Sequence, residues 1–474
     1  MPQNSWTDKN SYEEFNPIEA LLSDWSDAET EEEWSSDFFQ GIGGRRWKAA
    51  VTLMMVWGTT IALHLISWGS WLVLGITGVL TVQVTRLLFT RPATPPPALT
   101  DVDLAEAPPV SILVAAKNEE AVITGLVESL CSLDYPEDKY EIWLIDDHST
   151  DQTPVLLDQL ARQYNQLKVL HRPANAGGGK SGALNQALSL SQGEIVAVFD
   201  ADAQIPSDLL RRVVPVFKLE TIGAVQVRKA IANADLNFWT KGQRAEMALD
   251  SYFQQRRIGL RGIGELRGNG QFVRRRALAS CGKWNEQTIT DDLDLTIRLH
   301  LDEWDIGFVN NSCVQEEGVT SAIALWHQRN RWAEGGYQRY LDYWRWIIRN
   351  RMGLGKSLDL STFLLFQYLL PTAAIPDMLM VALRQEAPLY LPATSMMLTF
   401  SFWGMFQGLR ETQGNESKLT IWEMLRESLR GTFYMIHWLL IIPSMTARLA
   451  VRPKKLKWVK TSHQGEEKQQ QYET

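Results

Sequence analysis

Asp200-Ala201-Asp202 sets two carboxylates two positions apart. In an extended chain alternate residues face the same side, so both acids look the same way. A hard divalent cation takes oxygen ligands of this kind and keeps phosphate oxygens of a substrate in its remaining positions. Bound there, it would neutralise a departing diphosphate as a Lewis acid. Asp146-Asp147-His148-Ser149-Thr150-Asp151 offers carboxylates to a base or ribose, and Ser149 to Asp151 can cap a following helix. Gly177-Gly178-Gly179-Lys180-Ser181 permits close backbone approach and presents Lys180 to a phosphate. It is no P-loop, because Ala174 stands where that pattern needs its first glycine. Gly268-Asn269-Gly270 comes before Thr290-Asp291-Asp292-Leu293-Asp294. There Thr290 reads as a helix cap, and one acid as a general base that takes a proton from an acceptor hydroxyl. Gln328-Arg329-Asn330-Arg331-Trp332 adds forked donors for phosphate and an aromatic face for a sugar ring or an apolar stem.

These residues need elements to hold them. Short apolar runs at Val110–Ala116, Glu141–Ile145, Leu167–Leu170, Ile195–Phe199 and Ile222–Val227 read as strands. Helical stretches fall between them at Glu119–Cys131, Pro154–Gln163 and Ser181–Leu190, with another opened by Pro206. Strands apolar throughout and alternating with helices predict an α/β fold, a mostly parallel sheet covered on both faces. Ligands gather beyond the carboxyl ends of such strands, here 116–119, 146–151 and 200–202. The first of these reads Ala116-Lys117-Asn118-Glu119, without the glycines of a dinucleotide fingerprint, which disfavours a dehydrogenase. After Ala230 the pattern dissolves into helices and loops rich in arginine.

Of the 474 residues, the first 40 carry 11 acids and one lysine, while the whole chain has a net charge of -8. The remainder is therefore near neutral, and a general nucleic-acid binder is disfavoured. Residues 1–44 form an acidic tail too polar to bury a core. Residues 45–91 are almost free of charge from Ala49 to Phe89, long enough for two crossings, and basic at both flanks. They predict a membrane hairpin with both ends in the cytoplasm. A proline-rich linker, 92–109, leads into the catalytic region 110–336. Aromatics alternate with arginines from Tyr337 to Met352, so 337–356 reads as an amphipathic helix lying in the membrane plane. About three spans are expected in 357–450, near Leu358–Leu383, Leu389–Leu409 and Thr432–Leu449, before a basic tail over 451–474. An odd number would carry that tail outside, against its lysines and arginines. Three cysteines, Cys131, Cys281 and Cys313, make neither a zinc spacing nor a disulfide framework.

Taken in order, Asp146/Asp147, Asp200-x-Asp202, Thr290-Asp291-Asp292 and Gln328-x-x-Arg331-Trp332 resemble the inverting glycosyltransferases of family 2 over about residues 108–355. These have the GT-A fold and include the cellulose- and hyaluronan-synthase branch. The acidic head and amino-terminal hairpin further resemble the cyanobacterial glycolipid-making members. The resemblance implies a catalytic domain inserted between membrane helices of a thylakoid or plasma membrane, with its active face in the cytoplasm. It implies UDP-glucose as donor, diacylglycerol as acceptor and Mg2+ or Mn2+ as cofactor. Asp146 or Asp147 would hold uracil, Lys180 would approach the nucleotide, and Asp200 and Asp202 would hold ribose and metal. Asp292 would be the base, with Asp291 replacing the commoner glutamate. Gln328 and Arg331 would steady the diphosphate, and Trp332 would shape the acceptor site. A processive polysaccharide synthase, transfer to another lipid and an inactive scaffold are the competing readings.

Overall fold

The computed structural model describes residues 44–412 and 419–451. The acidic tail, apart from Gly44, and the basic tail beyond Val451 lie outside the described residues. Among them, seven strands form one sheet in the order β3-β2-β1-β4-β6-β5-β7. The strands are β1 (Val110–Ala116), β2 (Tyr140–Asp146), β3 (Leu167–His171), β4 (Ile195–Phe199), β5 (Ile222–Ile231), β6 (Gln271–Arg274) and β7 (Asp305–Glu316). β6 alone runs against its neighbours, and β1–β4 and the β5–β7 pair are parallel. This is the α/β, mostly parallel GT-A architecture expected. Both faces are covered: Ile112, Val114, Phe199 and Val225 pack on one side, and Leu113, Val196, Val198 and Ala224 on the other. β6 and β7 escaped the sequence reading. β6 is four residues long, and β7 carries polar residues through Asn310-Asn311-Ser312.

Two apolar helices, α1 (Arg45–Leu65) and α2 (Gly69–Leu88), form the amino-terminal hairpin. The linker that follows is fastened to the domain instead of spanning open space. Leu99 is buried, Arg211 bonds Asp101 and Asp134, and Lys139 donates to the carbonyls of Leu104, Ala105 and Ala107. Helices α3 (Thr153–Gln163), α4 (Gly179–Leu190), α5 (Phe238–Gly259) and α6 (Asp291–Leu301) serve the sheet and the site.

Two expectations are corrected beyond the sheet. The stretch from Tyr337 does not begin a helix of its own in the membrane plane; it continues α7 (Ala322–Ile348). Tyr337, Arg339, Tyr340 and Tyr343 are buried against protein, with Asp342 held by Arg45 through paired bonds of 2.7 and 2.5 Å. Within the stretch from Tyr337, exposure begins only near the end of the helix, at Trp344, Arg345 and Ile348. Alternating aromatics and arginines suit a buried ion-pair and stacking layer as well as a headgroup layer, so composition alone did not separate them.

The second correction concerns the spans. The described helices long and apolar enough to cross a membrane are four: α1, α2, α8 (Leu354–Arg384) and α10 (Ile421–Val451). Leu389–Leu409, expected as a span, falls in α9 (Leu391–Thr412), which is not among them. It packs along α5, where added methyl groups at Gly404 and Gly408 would lie 2.6 Å from Leu249 and 2.2 Å from the Ala248 carbonyl oxygen. The acids inside α8 are partnered. Asp359 accepts from Arg257 and the Ile263 amide, and Asp377 meets His64 at 2.7 Å and the Leu389 amide at 2.9 Å. Four crossings, if all these helices span, would leave both flanks on one side, in keeping with the basic composition of 451–474.

Candidate active site

The site forms where the chain leaves the strands. Past β4, the amide of Asp200 donates to Asn269 Oδ1 at 3.3 Å, which ties the Asp-x-Asp turn to the Gly268-Asn269-Gly270 loop. That loop is clamped by Gln226, whose amide nitrogen donates to the carbonyls of Asn269 and Gly270 and whose oxygen accepts from the Arg267 amide. Gly268 and Gly270 have φ of +78° and +75°, a region costly for other residues. At the start of α4, Gly178 has φ +80°, and a methyl group on it would lie 2.3 Å from a Glu286 carboxylate oxygen. The turn presents Lys180, whose ammonium meets Asp200 Oδ1 at 2.6 Å.

These residues line one cavity of about 1110 Å3. Asp200, Asp202, Lys180, Asp291, Asp292, Gln328, Arg331 and Trp332 all contribute to its wall. Asp202 and Asp292, far apart in sequence, therefore face the same space. Burial alone would raise the Asp200 carboxyl, but Lys180, Lys229 and Arg331 hold it below its usual range. Burial would lower Lys180, yet Asp200, Asp291 and Asp292 keep it firmly protonated. For Asp292, burial and the Asp291 carboxylate push the pKa up to about 6, against the Leu293 backbone, Lys180 and Lys229. A carboxylate so poised suits proton abstraction near neutral pH. Arg331 makes no hydrogen bond or ion pair among the described residues, so its fork is available to an anion.

Not every predicted residue reaches that wall. Asp146 is buried, accepting from the Ser149 amide at 3.0 Å and meeting His171 at 3.1 Å. Asp147 pairs with Arg172, which also donates to the carbonyls of Gly177 and Gly179. The two acids lie outside the cavity lining; Asp147, through Arg172, holds the loop that carries Lys180, and Asp146 holds the turn at Ser149. Asp294 turns away to Arg298, Asn285 and Tyr343. Thr290 stands at the helix start without a side-chain cap, because its hydroxyl is packed over Gly335. Arg329 is buried against Glu246 and lies over Trp332 at 4.0 Å, leaving Arg331 as the motif's accessible arginine.

Lys229 was missed. It lines the cavity, bonds both oxygens of Glu316 at 3.1 Å and lies 5.4 Å over Trp332. A single lysine near the end of an apolar strand carries no spacing signal. Below the site, Glu265 is fully buried among Arg257, Arg267 and Arg339 at 3.3, 2.6 and 2.7 Å. Asp250 and Asp359 complete a network of three acids and three arginines that joins the domain to α8.

A divalent cation fits the donor set. Asp200 and Asp202 supply hard oxygens on one cavity wall, as expected for an ion completed by water and substrate phosphates. No group of three or more metal-type side chains occurs among the described residues, so a site made wholly of protein ligands is not formed there.

Sheet topology, the Asp-x-Asp turn and an acid-tipped helix over one cavity define a nucleotide-sugar transferase. A family model described as glycosyl transferase family 2 matches residues 111–282. The chain belongs to that family, as an inverting glycosyltransferase on a membrane-embedded frame with its catalytic face in the cytoplasm. It is 59% identical to a beta-monoglucosyldiacylglycerol synthase of Synechocystis, over 98% of this chain and 97% of that protein. To a protein of the same description from Nostoc it is 58% identical, over 98% and 99%. In structure it is similar to a mannosyltransferase of Pyrobaculum calidifontis solved with GDP-Man and Mn2+. The TM-score is 0.52 at 20% identity, covering 81% of this chain and 99% of that one, a likeness of fold.

Proposed function

We propose that the protein transfers glucose from UDP-glucose to the sn-3 hydroxyl of 1,2-diacylglycerol, with inversion, giving β-monoglucosyldiacylglycerol and UDP. The observation that carries this reading is the continuity of the cavity. Its polar wall runs without interruption into Phe363, Phe366, Met396, Met397 and Phe433 from the helices beneath. A water-soluble donor can thus meet an acceptor whose chains stay in lipid. The relatives named for this synthase, aligned over almost the whole chain, support the same glucosylated lipid product.

In the proposed mechanism Asp292 takes the proton of the acceptor hydroxyl as its oxygen attacks C1 of glucose. The new C1–O bond forms on the face opposite UDP while the bond to UDP breaks, so an α-linked donor yields a β product. Lys180, Lys229 and Arg331 face the departing diphosphate and stabilise its charge. Gln328 and Trp332 border donor and acceptor. Asp146 or Asp147 would hold the uracil; Asp147 pairs with Arg172, which bonds the loop that carries Lys180. Asp200 and Asp202 would hold Mg2+ or Mn2+, which when bound supplies charge neutralisation at the diphosphate. The cyanobacterial relatives support a thylakoid or plasma membrane as the site of action.

Purified protein in lipid vesicles, given UDP-sugars one at a time with diacylglycerol, tests the reading. One β-glucose per acceptor from UDP-glucose is expected. Transfer of a different sugar, or growth of a polymer, would overturn it.

A further inference from the structure

Glu246 lies on α5 and lines the cavity, yet no step of the proposed transfer uses it. Its carboxylate collects three donors. Arg329 Nη2 meets Oε2 at 2.5 Å, the Tyr434 hydroxyl donates to the same oxygen at 3.2 Å, and Trp438 Nε1 donates to Oε1 at 2.9 Å. Arg329 Nη2 also donates to the Tyr434 hydroxyl at 3.1 Å, so that hydroxyl accepts from the arginine and donates to the acid. Burial alone would raise the Glu246 carboxyl, but chiefly Arg329 holds it below its usual range. The pair is therefore ionic at neutral pH.

Two helices build this contact. Gly242, one turn before Glu246, leaves room for the Tyr434 ring, from which an added methyl group would lie 2.3 Å. α10 tightens into a 3-10 turn over Met435–His437, between the two residues that reach the carboxylate. What the carboxylate fixes is an aromatic wall. The Arg329 guanidinium lies 4.0 Å from the centre of the Trp332 ring and 5.9 Å from that of Trp438. Both rings line the cavity, and α10 adds Phe433, Ile436 and Leu439 to its apolar part. A guanidinium gains from an aromatic face, but buried without its carboxylate it would be an unpaired charge, costly enough to displace it.

We infer that Glu246 is a positioning residue for the lipid acceptor. Through Arg329 it sets the Trp332 ring, and through Tyr434 and Trp438 it ties that ring to the helix that lines the apolar part of the cavity. This inference rests on the acceptor proposed above and adds to it the residue that orders the acceptor's wall.

The test uses the full-length protein in phosphatidylcholine vesicles with UDP-glucose and 1,2-dioleoylglycerol. Glu246→Gln keeps the volume and removes the charge. It should lower kcat/KM for diacylglycerol roughly 10-fold, while KM for UDP-glucose stays within about twofold of the wild type. Tyr434→Phe removes one donor, keeps the ring, and should give a smaller loss of the same kind. Arg329→Gln should match Glu246→Gln, and the double variant should lose no more than either alone, because each removes the same pair. UDP binding in the same preparations reports that each variant is folded. If Glu246→Gln fails to bind UDP, Tyr434→Phe, with the ion pair intact, decides by the same split between the two substrates. Folded variants with wild-type diacylglycerol kinetics, an equal rise in KM for UDP-glucose, or losses that multiply in the double variant would overturn the inference while leaving glucosyl transfer in place. No transfer to diacylglycerol by the wild type would overturn the acceptor assignment itself, and this inference with it.

Discussion

At Asp292 two opposing demands meet. The first turn of a helix favours a carboxylate, yet burial and Asp291 make the charged form costly and lift the pKa to about 6. A base works deprotonated, so kcat should rise with pH through about 6 and level off above it. A profile flat from about pH 5 to 8 would remove Asp292 from that role. Asp292→Asn should lower kcat by about 10²–10⁴-fold while UDP still binds, checked by single-turnover kinetics beside a binding isotherm. Lys229→Met should raise KM for UDP-glucose more than it alters diacylglycerol use, since the Lys229 charge acts on Asp200, beside the proposed diphosphate position. Asp200-x-Asp202 was legible because it follows an apolar strand directly; acids at a helix start are common for the helix's own sake, so Asp292 stood out only through the family resemblance. Lys229 and Gln226 were not legible, being isolated polar residues in an apolar strand. Arg331 was separated from Arg329 by the resemblance alone; packing supplies the physical reason, since Arg329 is buried on Glu246 and Arg331 opens to the cavity.

At the scale of elements, the catalytic domain is seated on its helices by a seam of small residues. Gly242, Ala245 and Ala248 of α5 face Tyr434, Gly431 and Gly408 of α10 and α9. Gly408→Leu should force these helices apart and destabilise the protein by about 1–3 kcal/mol, seen as a lower unfolding temperature in detergent. An unchanged transition would show that the seam tolerates separation. The first four strands were legible almost to the residue: β1 and β4, buried on both faces, are apolar throughout, and β2 and the edge strand β3 are short apolar runs between helices. The second half of the sheet was not, since β6 is short and β7 polar at its middle. The composition of α7 misled for a physical reason. Its arginines are neutralised by Glu265 and Glu246 from other elements, partners that no local pattern announces.

For the whole molecule, two helices before the catalytic domain and two after it are long and apolar enough to cross, and four crossings would put the domain and both flanks on one face of the membrane. Single cysteines introduced just before Arg45 and after Val451 should react with an impermeant thiol reagent from the same side of sealed vesicles. Labelling from opposite sides would require an odd number of crossings. The central claim is that one cavity unites the donor's carboxylates with the acceptor's lipid chains. A diacylglycerol carrying a photoreactive group within one acyl chain tests it most directly. On irradiation with UDP present, cross-links should fall on Phe363–Pro371 of α8 and Met396–Phe400 of α9, and excess unlabelled diacylglycerol should remove them. Labelling confined to outward-facing residues such as Trp71 and Val79 of α2, unaffected by competitor, would contradict the account.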